Sequence, residues 1–485
     1  MIDCTQRWST GSLLPKATGH NCFMRAFVGD GQVGIGGSTS AFSQTEVLQE
    51  PESPDTLQRD TSLGGAARPR LLQNPLVASL LLGIASLAFF VIGIGRPAMM
   101  YFDEAYFVPE ARAFAQGQPN PHPIVPTLAK PPLGKFMMSF GIKAAGDNPF
   151  GWRIVGAVCG SLTLIAVYLW AYLLLHDRRL AGLAATLALF NNFLFVMSRV
   201  AMMDAYLIVF LMWSLVAYTA ALDLQIQPLT RRLLLTCSGV LLGLAGACKW
   251  NAVDTLAVFL LVSVALPLIA RSAPAMSDPT LRKWAANAKQ IGFPIFLIGL
   301  IVAPIASYSL AFWPLCRLLH RPFSAHELIS MNASIFHFNS TSVSNRAITS
   351  LWYSWPLQLK PQRALSYLVG NPVVTWGGLA ALALCVGRAW RALGIPELFV
   401  VLLFASNYLQ WVVTPEKGIF YYYYYPSVMI LGVAIAVALR SIPRRILGVR
   451  LALAIAVSAI VVFVWCYPHM AHLDSPWDCA LGCWI

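Results

Sequence analysis

The sequence predicts an all-α polytopic membrane protein, with about eleven transmembrane helices and short amphipathic helices in the loops of one face. Three observations carry the prediction. Hydrophobic residues make up 57% of the 485-residue chain and charged ones only 11%, against about 25% charged in a soluble domain. Apolar runs recur along the chain at close to the ~20 residues that a helix needs to cross a bilayer. Between them, every second connection is basic, the pattern of loops held on the cytoplasmic side.

Residues 1–72 stand apart. They are rich in Gly, Ser, Thr and Gln, carry a short acidic patch from Glu46 to Asp60, and show no apolar periodicity. A disordered cytoplasmic tail is expected, without the apolar core of a signal peptide. The membrane core then runs from 73 to 467, and an external tail, 468–485, follows. Spans are expected at 76–95, 152–175, 180–197, 204–222, 233–248, 252–270, 291–313, 373–387, 396–413, 419–439 and 449–467, with 180–222 open to another division. Of ten cysteines, Cys159, Cys237, Cys248, Cys316, Cys385 and Cys466 lie in or beside apolar runs, where a thiol acts as a small hydrophobe. Cys479 and Cys483 could pair in the polar tail, and no CxxC metal spacing occurs.

Arg68 and Arg70 precede the first span. Arg178 with Arg179, Arg231 with Arg232, the Arg271–Lys289 segment, Arg388 with Arg391, and Arg440 to Arg450 fill alternate connections. This places the N-terminus inside and, with an odd number of spans, the C-terminus outside. The same anchoring accounts for the net charge of +13; dispersed basic residues on an apolar chain do not make a nucleic-acid groove. The remaining connections share the outer face. They are loop 96–151, Arg199 to Asp204, Lys249-Trp250-Asn251, the long loop 314–372, and Thr414 to Gly418.

Ionisable groups at span ends are costly and are candidates for function. In YFDEAYFVPEARAF, Tyr101 to Phe114, the carboxylates Asp103 and Glu104 are adjacent. On a helix they diverge by about 100°, so they cannot face each other as a glycosidase pair; one could act as a base while the other holds a ligand. The aromatic residues around them, Tyr106 included, suit a sugar site or an interfacial belt. Lys130 and Lys135 flank two prolines, where lysine could meet a lipid phosphate or simply lie in a surface turn. Arg199 and Asp204 are either an ion pair or a phosphate-binding cation with a carboxylate for metal or substrate. Arg153, entering the second span, is a snorkelling anchor or a phosphate ligand.

The segments FDEAYF, PPLGK, RVAMMDA, CKWNA, LWYSWPLQLKP, GNPVVTW and FYYYYYP occur in this order between about residues 100 and 430. As an ordered set they resemble the protein O-mannosyltransferases, GT-C-class glycosyltransferases that use polyprenyl-phosphate sugars. WYSWP and GNPVVTW separate them best from the aminoarabinose transferases and the oligosaccharyltransferases. The chain departs from the family pattern at Lys130, where His usually precedes the prolines. It departs again at Lys417, where Arg is usual, and at Tyr422-Tyr423-Tyr424, where Tyr-His-Tyr is usual. Loop 314–372 is too short for the β-trefoil MIR domain of the eukaryotic enzymes, so the resemblance is to the prokaryotic form.

The resemblance implies a GT-C fold and an inverting transfer of a sugar, mannose in the family, from a polyprenyl-phosphate carrier to a hydroxyl acceptor such as protein Ser/Thr. The reaction would occur on the outer face of the plasma membrane. Asp103 matches the family's catalytic Asp and would be the base, and Glu104 would position the acceptor. Arg153, Lys417, Arg199 and Lys135 would meet the donor phosphate. Tyr106, His337, Trp355 and Tyr424 would contact substrate. No cofactor is implied and no metal is required, although Asp204 could hold a divalent ion. The partners implied are the polyprenyl-phosphate sugar, a protein or other hydroxyl acceptor, and membrane lipid, with no nucleic acid. Three other readings stay open: a related GT-C enzyme acting on a lipid or glycan, a non-catalytic scaffold, and a transporter. Against the transporter stand the lack of an internal repeat and charges that gather at one face instead of the midplane.

Overall fold

The structure, a computed structural model, describes residues 74–121, 126–272, 278–341, 349–359, 368–392, 394–413, 419–442 and 447–473. The expected N-terminal tail, Lys417 and the Cys479–Cys483 pair lie outside the described residues. The chain divides into two units, Met1–Ala78 and Ser79–Ile485; of the first, only the opening of one helix is described.

The described elements are all helices. In chain order they are α1 (Pro75–Val91), α2 (Glu104–Ala115), α3 (Leu133–Ala145), α4 (Pro149–Leu175), α5 (Arg178–Leu189), α6 (Asn192–Met197), α7 (Met203–Asp223), α8 (Pro228–Cys248), α9 (Ala252–Ser272) and α10 (Pro279–Ile291). The segmented α11 (Phe293–Leu318) follows, and then α12 (Ala325–Thr341), α13 (Pro372–Ala392), α14 (Ile395–Val413), α15 (Tyr425–Leu439) and α16 (Leu447–Met470). A 3₁₀ turn, Tyr421–Tyr424, leads into α15.

Among the described residues, nine helices are long and apolar enough to cross a membrane: α4, α7, α8, α9, α11, α13, α14, α15 with its leading turn, and α16. Each covers an expected span. The first expected span is a shorter helix of 17 residues. The run 180–197, expected as one span, is two helices, because the chain breaks at Phe190–Asn191. Asn191 Oδ1 accepts from Phe193 N at 3.2 Å and restarts the helix. The Phe190 carbonyl, freed by the break, accepts from Asn371 Nδ2 at 2.9 Å. A backbone group buried in a membrane protein must find such a partner, and the GNPVVTW segment supplies it.

Burial sorts the helices. Helix α7 has no charge between Asp204 and Asp223, and both α7 and α15 are apolar all round and almost wholly enclosed. Helix α16 is as apolar but leaves Leu453, Val457, Val461 and Val464 exposed, a face for lipid. Helices α8 and α11 meet through Gly239 and Gly243, one turn apart. A Cβ at either would collide with the backbone at Gly299 or Pro304, the close small-residue approach common between membrane helices. This contact holds the end of α8, and Trp250 Nε1 donates to Tyr308 Oη of α11 at 3.0 Å, so the turn carrying Lys249 is fixed.

Short helices fill loops 96–151 and 314–372, as expected. Helices α2 and α3 pair through stacked Phe114 and Phe136, 4.6 Å between centroids. Helix α12 buries Met331 and Ile335 against Phe114, Phe312 and Leu315. Helix α10, in a basic connection, was not expected. Its signal is Asp278, which accepts from Thr280 N and Leu281 N ahead of a proline at the first helical position.

Candidate active site

Asp103 and Glu104 diverge within one peptide. Phe102, just before them, takes a φ of +53°, a sparsely populated region for a residue with a Cβ. Its ring packs edge-on against Phe420 and Tyr422, with centroids 6.0 and 5.6 Å away. Asp103 stands at the N-cap of α2 yet makes no capping bond, although such a cap typically contributes about 1 kcal/mol. Its Oδ2 instead accepts from the Tyr422 hydroxyl at 3.0 Å.

Glu104 turns inward and is wholly buried. Arg153 Nε and Nη2 donate to its two carboxylate oxygens at 2.7 Å each, and Ala201 N donates to Oε1 at 2.8 Å. Arg153 Nη1 also donates to the Ile94 and Pro97 carbonyls at 3.0 and 2.9 Å, and Nη2 to that of Met99 at 3.2 Å. A guanidinium has five N–H groups, and all five have protein partners. Arg153, expected at the donor phosphate, therefore has no donor left for one. Glu104, expected to position the acceptor, instead clasps α2, α4 and the turn at Ala201.

Asp103 keeps part of its surface open. Burial on its other sides pushes its carboxyl up to about 6. The Tyr422 hydrogen bond and the nearby Lys249 and Lys130 work against that rise, and the Asp204 carboxylate adds to it. Asp204 lies in the first turn of α7, where the helix end favours an anion, and accepts from Lys249 Nζ at 2.8 Å. Lys249 Nζ in turn sits 3.9 Å from the Tyr423 ring centroid and 5.1 Å from that of Tyr422, a cation–π arrangement. FDEAYF, RVAMMDA, CKWNA and FYYYYYP thus converge on one cluster: Asp103, Tyr422, Asp204 and Lys249. Lys249 and Tyr422 are the members that residue-by-residue reading missed. The signal for Lys249 was a lone cation closing an otherwise apolar run.

Other expected site residues are placed elsewhere. Lys135 is buried and donates to Glu110 Oε2 at 2.8 Å and to the Thr127 carbonyl. Burial holds its ammonium below the usual lysine range against the pull of Glu110. It ties α3 to α2. Arg199 Nη1 donates to the Phe90 and Ile92 carbonyls at 2.7 and 2.5 Å, closing the end of α1. Trp355 and Tyr424, expected at substrate, are buried. Their ring centroids lie 6.2 Å apart in an aromatic cluster that includes Trp411 and Tyr408. In a 3₁₀ turn, residues two apart point to different sides, so Tyr422 and not Tyr424 reaches Asp103. Tyr106 and His337 are exposed on α2 and α12. Near His337, Asn339 accepts from Lys130 Nζ at 2.5 Å and donates to the Ala129 carbonyl at 3.0 Å. Asp204, offered to a metal by the sequence, is bonded to Lys249. Among the described residues no group of three or more His, Cys, Asp or Glu gathers as a metal site.

Residues 80–320 match the family described as Dolichyl-phosphate-mannose-protein mannosyltransferase. A Mycobacterium tuberculosis protein named polyprenol-phosphate-mannose–protein mannosyltransferase is 23% identical over 77% of this chain and 83% of its own length. The chain belongs to the protein O-mannosyltransferase family. Its fold is that of the GT-C enzymes. The S. cerevisiae protein O-mannosyltransferase Pmt1-Pmt2 complex, bound to the sugar donor, superposes with a TM-score of 0.64. That match covers 81% of this chain and 90% of that one at 13% identity. ArnT from Cupriavidus metallidurans, bound to undecaprenyl phosphate, superposes with a TM-score of 0.52 over 81% and 76% at 14% identity.

Proposed function

We propose that this member of the family transfers mannose from a polyprenyl-phosphate carrier to a protein Ser or Thr hydroxyl, with inversion at C1. One observation carries the reading: a partly open carboxylate, raised to about 6 by burial, held by a tyrosine hydroxyl beside a lysine. Asp103 takes the proton of the acceptor hydroxyl, a general base within reach of its task. The hydroxyl oxygen bonds to C1 as the C1–O bond to phosphate breaks, and that electron pair leaves with the phosphate. The transition state is oxocarbenium-like, as in glycoside chemistry.

Lys249 supplies positive charge to the departing phosphate in a partly dehydrated recess, where a preorganised charge acts strongly; the family resemblance gives Lys417 the same role. Glu104 and Arg153 act indirectly, by holding the start of α2. Tyr106 and His337 are left to contact the acceptor. An apolar groove of about 390 Å³, lined in part by Leu242, Gly246, Trp250, Val253 and Tyr308, adjoins the Lys249 turn and suits the first isoprene units. The donor named for the M. tuberculosis relative supports that assignment. The mechanism calls for no cofactor. Arg178 with Arg179, Arg231 with Arg232, and Arg282 with Lys283 lie near the starts of α5, α8 and α10, a basic alternation that supports a cytoplasmic N-terminus and a site on the outer face.

The test is incubation of the purified full chain with labelled polyprenyl-phosphate mannose and a Ser/Thr-rich protein acceptor. Label on acceptor hydroxyls is expected. Release of free mannose only, or label confined to lipid, would refute protein O-mannosylation.

A further inference from the structure

Helix α4 leaves the candidate active site at Arg153 and ends at Leu175. At 1.5 Å per residue its 27 residues span about 40 Å, so the turn after it lies at the other end of the bundle. There a cleft of about 310 Å³ opens between the start of α5, the end of α15 and the start of α16. That is the small end of ligand-sized pockets, roughly 300–1,000 Å³. One wall carries His176, Asp177, Arg178 and Arg179; the other is apolar and includes Ile442, Val449 and Ala452.

The two walls differ in what they offer. Asp177 Oδ1 accepts from Arg179 N and Leu180 N at 2.8 and 3.3 Å, capping α5. His176 Nε2 lies 3.0 Å from Asp223. Asp177 is thus taken up as a helix cap, and the half-exposed His176 faces Asp223 and, at 3.3 Å, Lys283 Nζ. Arg178 and Arg179 are both exposed, and a guanidinium matches phosphate through paired N–H donors. The apolar wall continues along α16, whose Val449 and Leu453 face outward. Guanidinium groups on one wall and a lipid-facing apolar surface on the other complement a phosphate that carries acyl chains. A free phosphate would use only half the cleft. Basic pockets between transmembrane helices bind anionic headgroups on these terms.

We infer that this cleft binds the phosphate headgroup of an anionic phospholipid, with the first methylenes of its chains against Val449 and Ala452. The test is titration of the purified full chain, in neutral detergent, with a fluorescent phosphatidylglycerol. Saturable binding is expected, with phosphatidylcholine and inorganic phosphate competing at least tenfold more weakly than unlabelled phosphatidylglycerol. The double variant Arg178→Gln/Arg179→Gln should bind about 25-fold more weakly, about fivefold for each arginine near a membrane surface. Ala452→Trp fills the cleft without altering charge and should also weaken binding, whereas Arg282→Gln, in a different basic connection, should not. Equal competition by phosphatidylcholine, full competition by inorganic phosphate, or equal weakening by Arg282→Gln would overturn the assignment. So would unchanged binding in the double variant. If that variant does not fold, Ala452→Trp decides, and unchanged binding there overturns it.

Discussion

Helix α7 carries a carboxylate at each end, Asp204 in its first turn and Asp223 as its last residue, and the two ends have become different places. Both carboxylates are buried, and each meets a lysine: Asp204 meets Lys249 at 2.8 Å, and Asp223 meets Lys283 at 2.6 Å. Asp223 sits at the helix end that disfavours an anion, and more partners gather on it. His176 is 3.0 Å away, and Trp284 Nε1 donates at 3.3 Å. That end is a clasp joining α7, α10 and the turn after α4. Near Asp204 a further carboxylate, Asp103, is bonded to a neutral tyrosine hydroxyl and raised to about 6. An ion pair alone therefore does not mark the site. What sets the proposed site apart is the extra acid, Asp103, whose hydrogen bond is to a tyrosine and which forms no ion pair among the described residues.

Asp103→Asn should separate the two ends most sharply. Loss of the general base is expected to lower mannosyl transfer roughly 10²–10⁴-fold. A folded-state pKa above the ordinary carboxylate value of 3.8 means that the folded state binds more protons than the unfolded one between those values. The wild type therefore loses stability as pH rises through about 4 to 6. Asn stays neutral, so the variant should unfold at the same or a higher temperature at pH 8. Transfer at near wild-type rate would remove Asp103 as the base.

Lys249→Ala comes next, with an expected loss of roughly 10²–10³-fold, the scale for one preorganised charge-stabilising donor. Rates are to be compared with those of Lys283→Ala; matching losses would erase the distinction between the two ends. Glu104→Gln leaves Arg153 buried without its counter-charge, which costs roughly 3–5 kcal/mol. The expected result is a lower unfolding temperature and yield, read by thermal denaturation. A normally stable variant with only a raised acceptor KM would instead put Glu104 at the acceptor.

The pH profile of transfer should fall about tenfold per unit below about 6, as Asp103 becomes protonated. A flat profile from pH 5 to 8 would contradict a titrating base there. The smallest effect is expected for Lys283→Ala, whose ammonium is partly in water. Buried Asp223 keeps His176 and Trp284 as partners, so the stability loss should be about 1–3 kcal/mol, with transfer nearly unchanged; a large drop in rate would tie the far end to the chemistry.

Much of this was legible in the sequence. Apolar run length located the spans because a bilayer demands it, and FDEAYF announced two carboxylates that had to diverge. The break in 180–197 was harder to see. Asn191 is a good cap, but a buried break also needs a partner for the Phe190 carbonyl, and that partner, Asn371, lies far along the chain.

The sequence by itself determined a polytopic helical chain, the motifs that mark its family, and the acid proposed as base. Only the tertiary structure decided which charges are occupied. Arg153 is consumed by Glu104, Lys135 by Glu110, and Arg199 by the end of α1, while Tyr422 rather than Tyr424 meets Asp103. Each of these pairings joins residues from separate helices or turns. A buried charge is stable only with its partner in contact, and contact across such separations is set by helix packing, not by spacing along the chain.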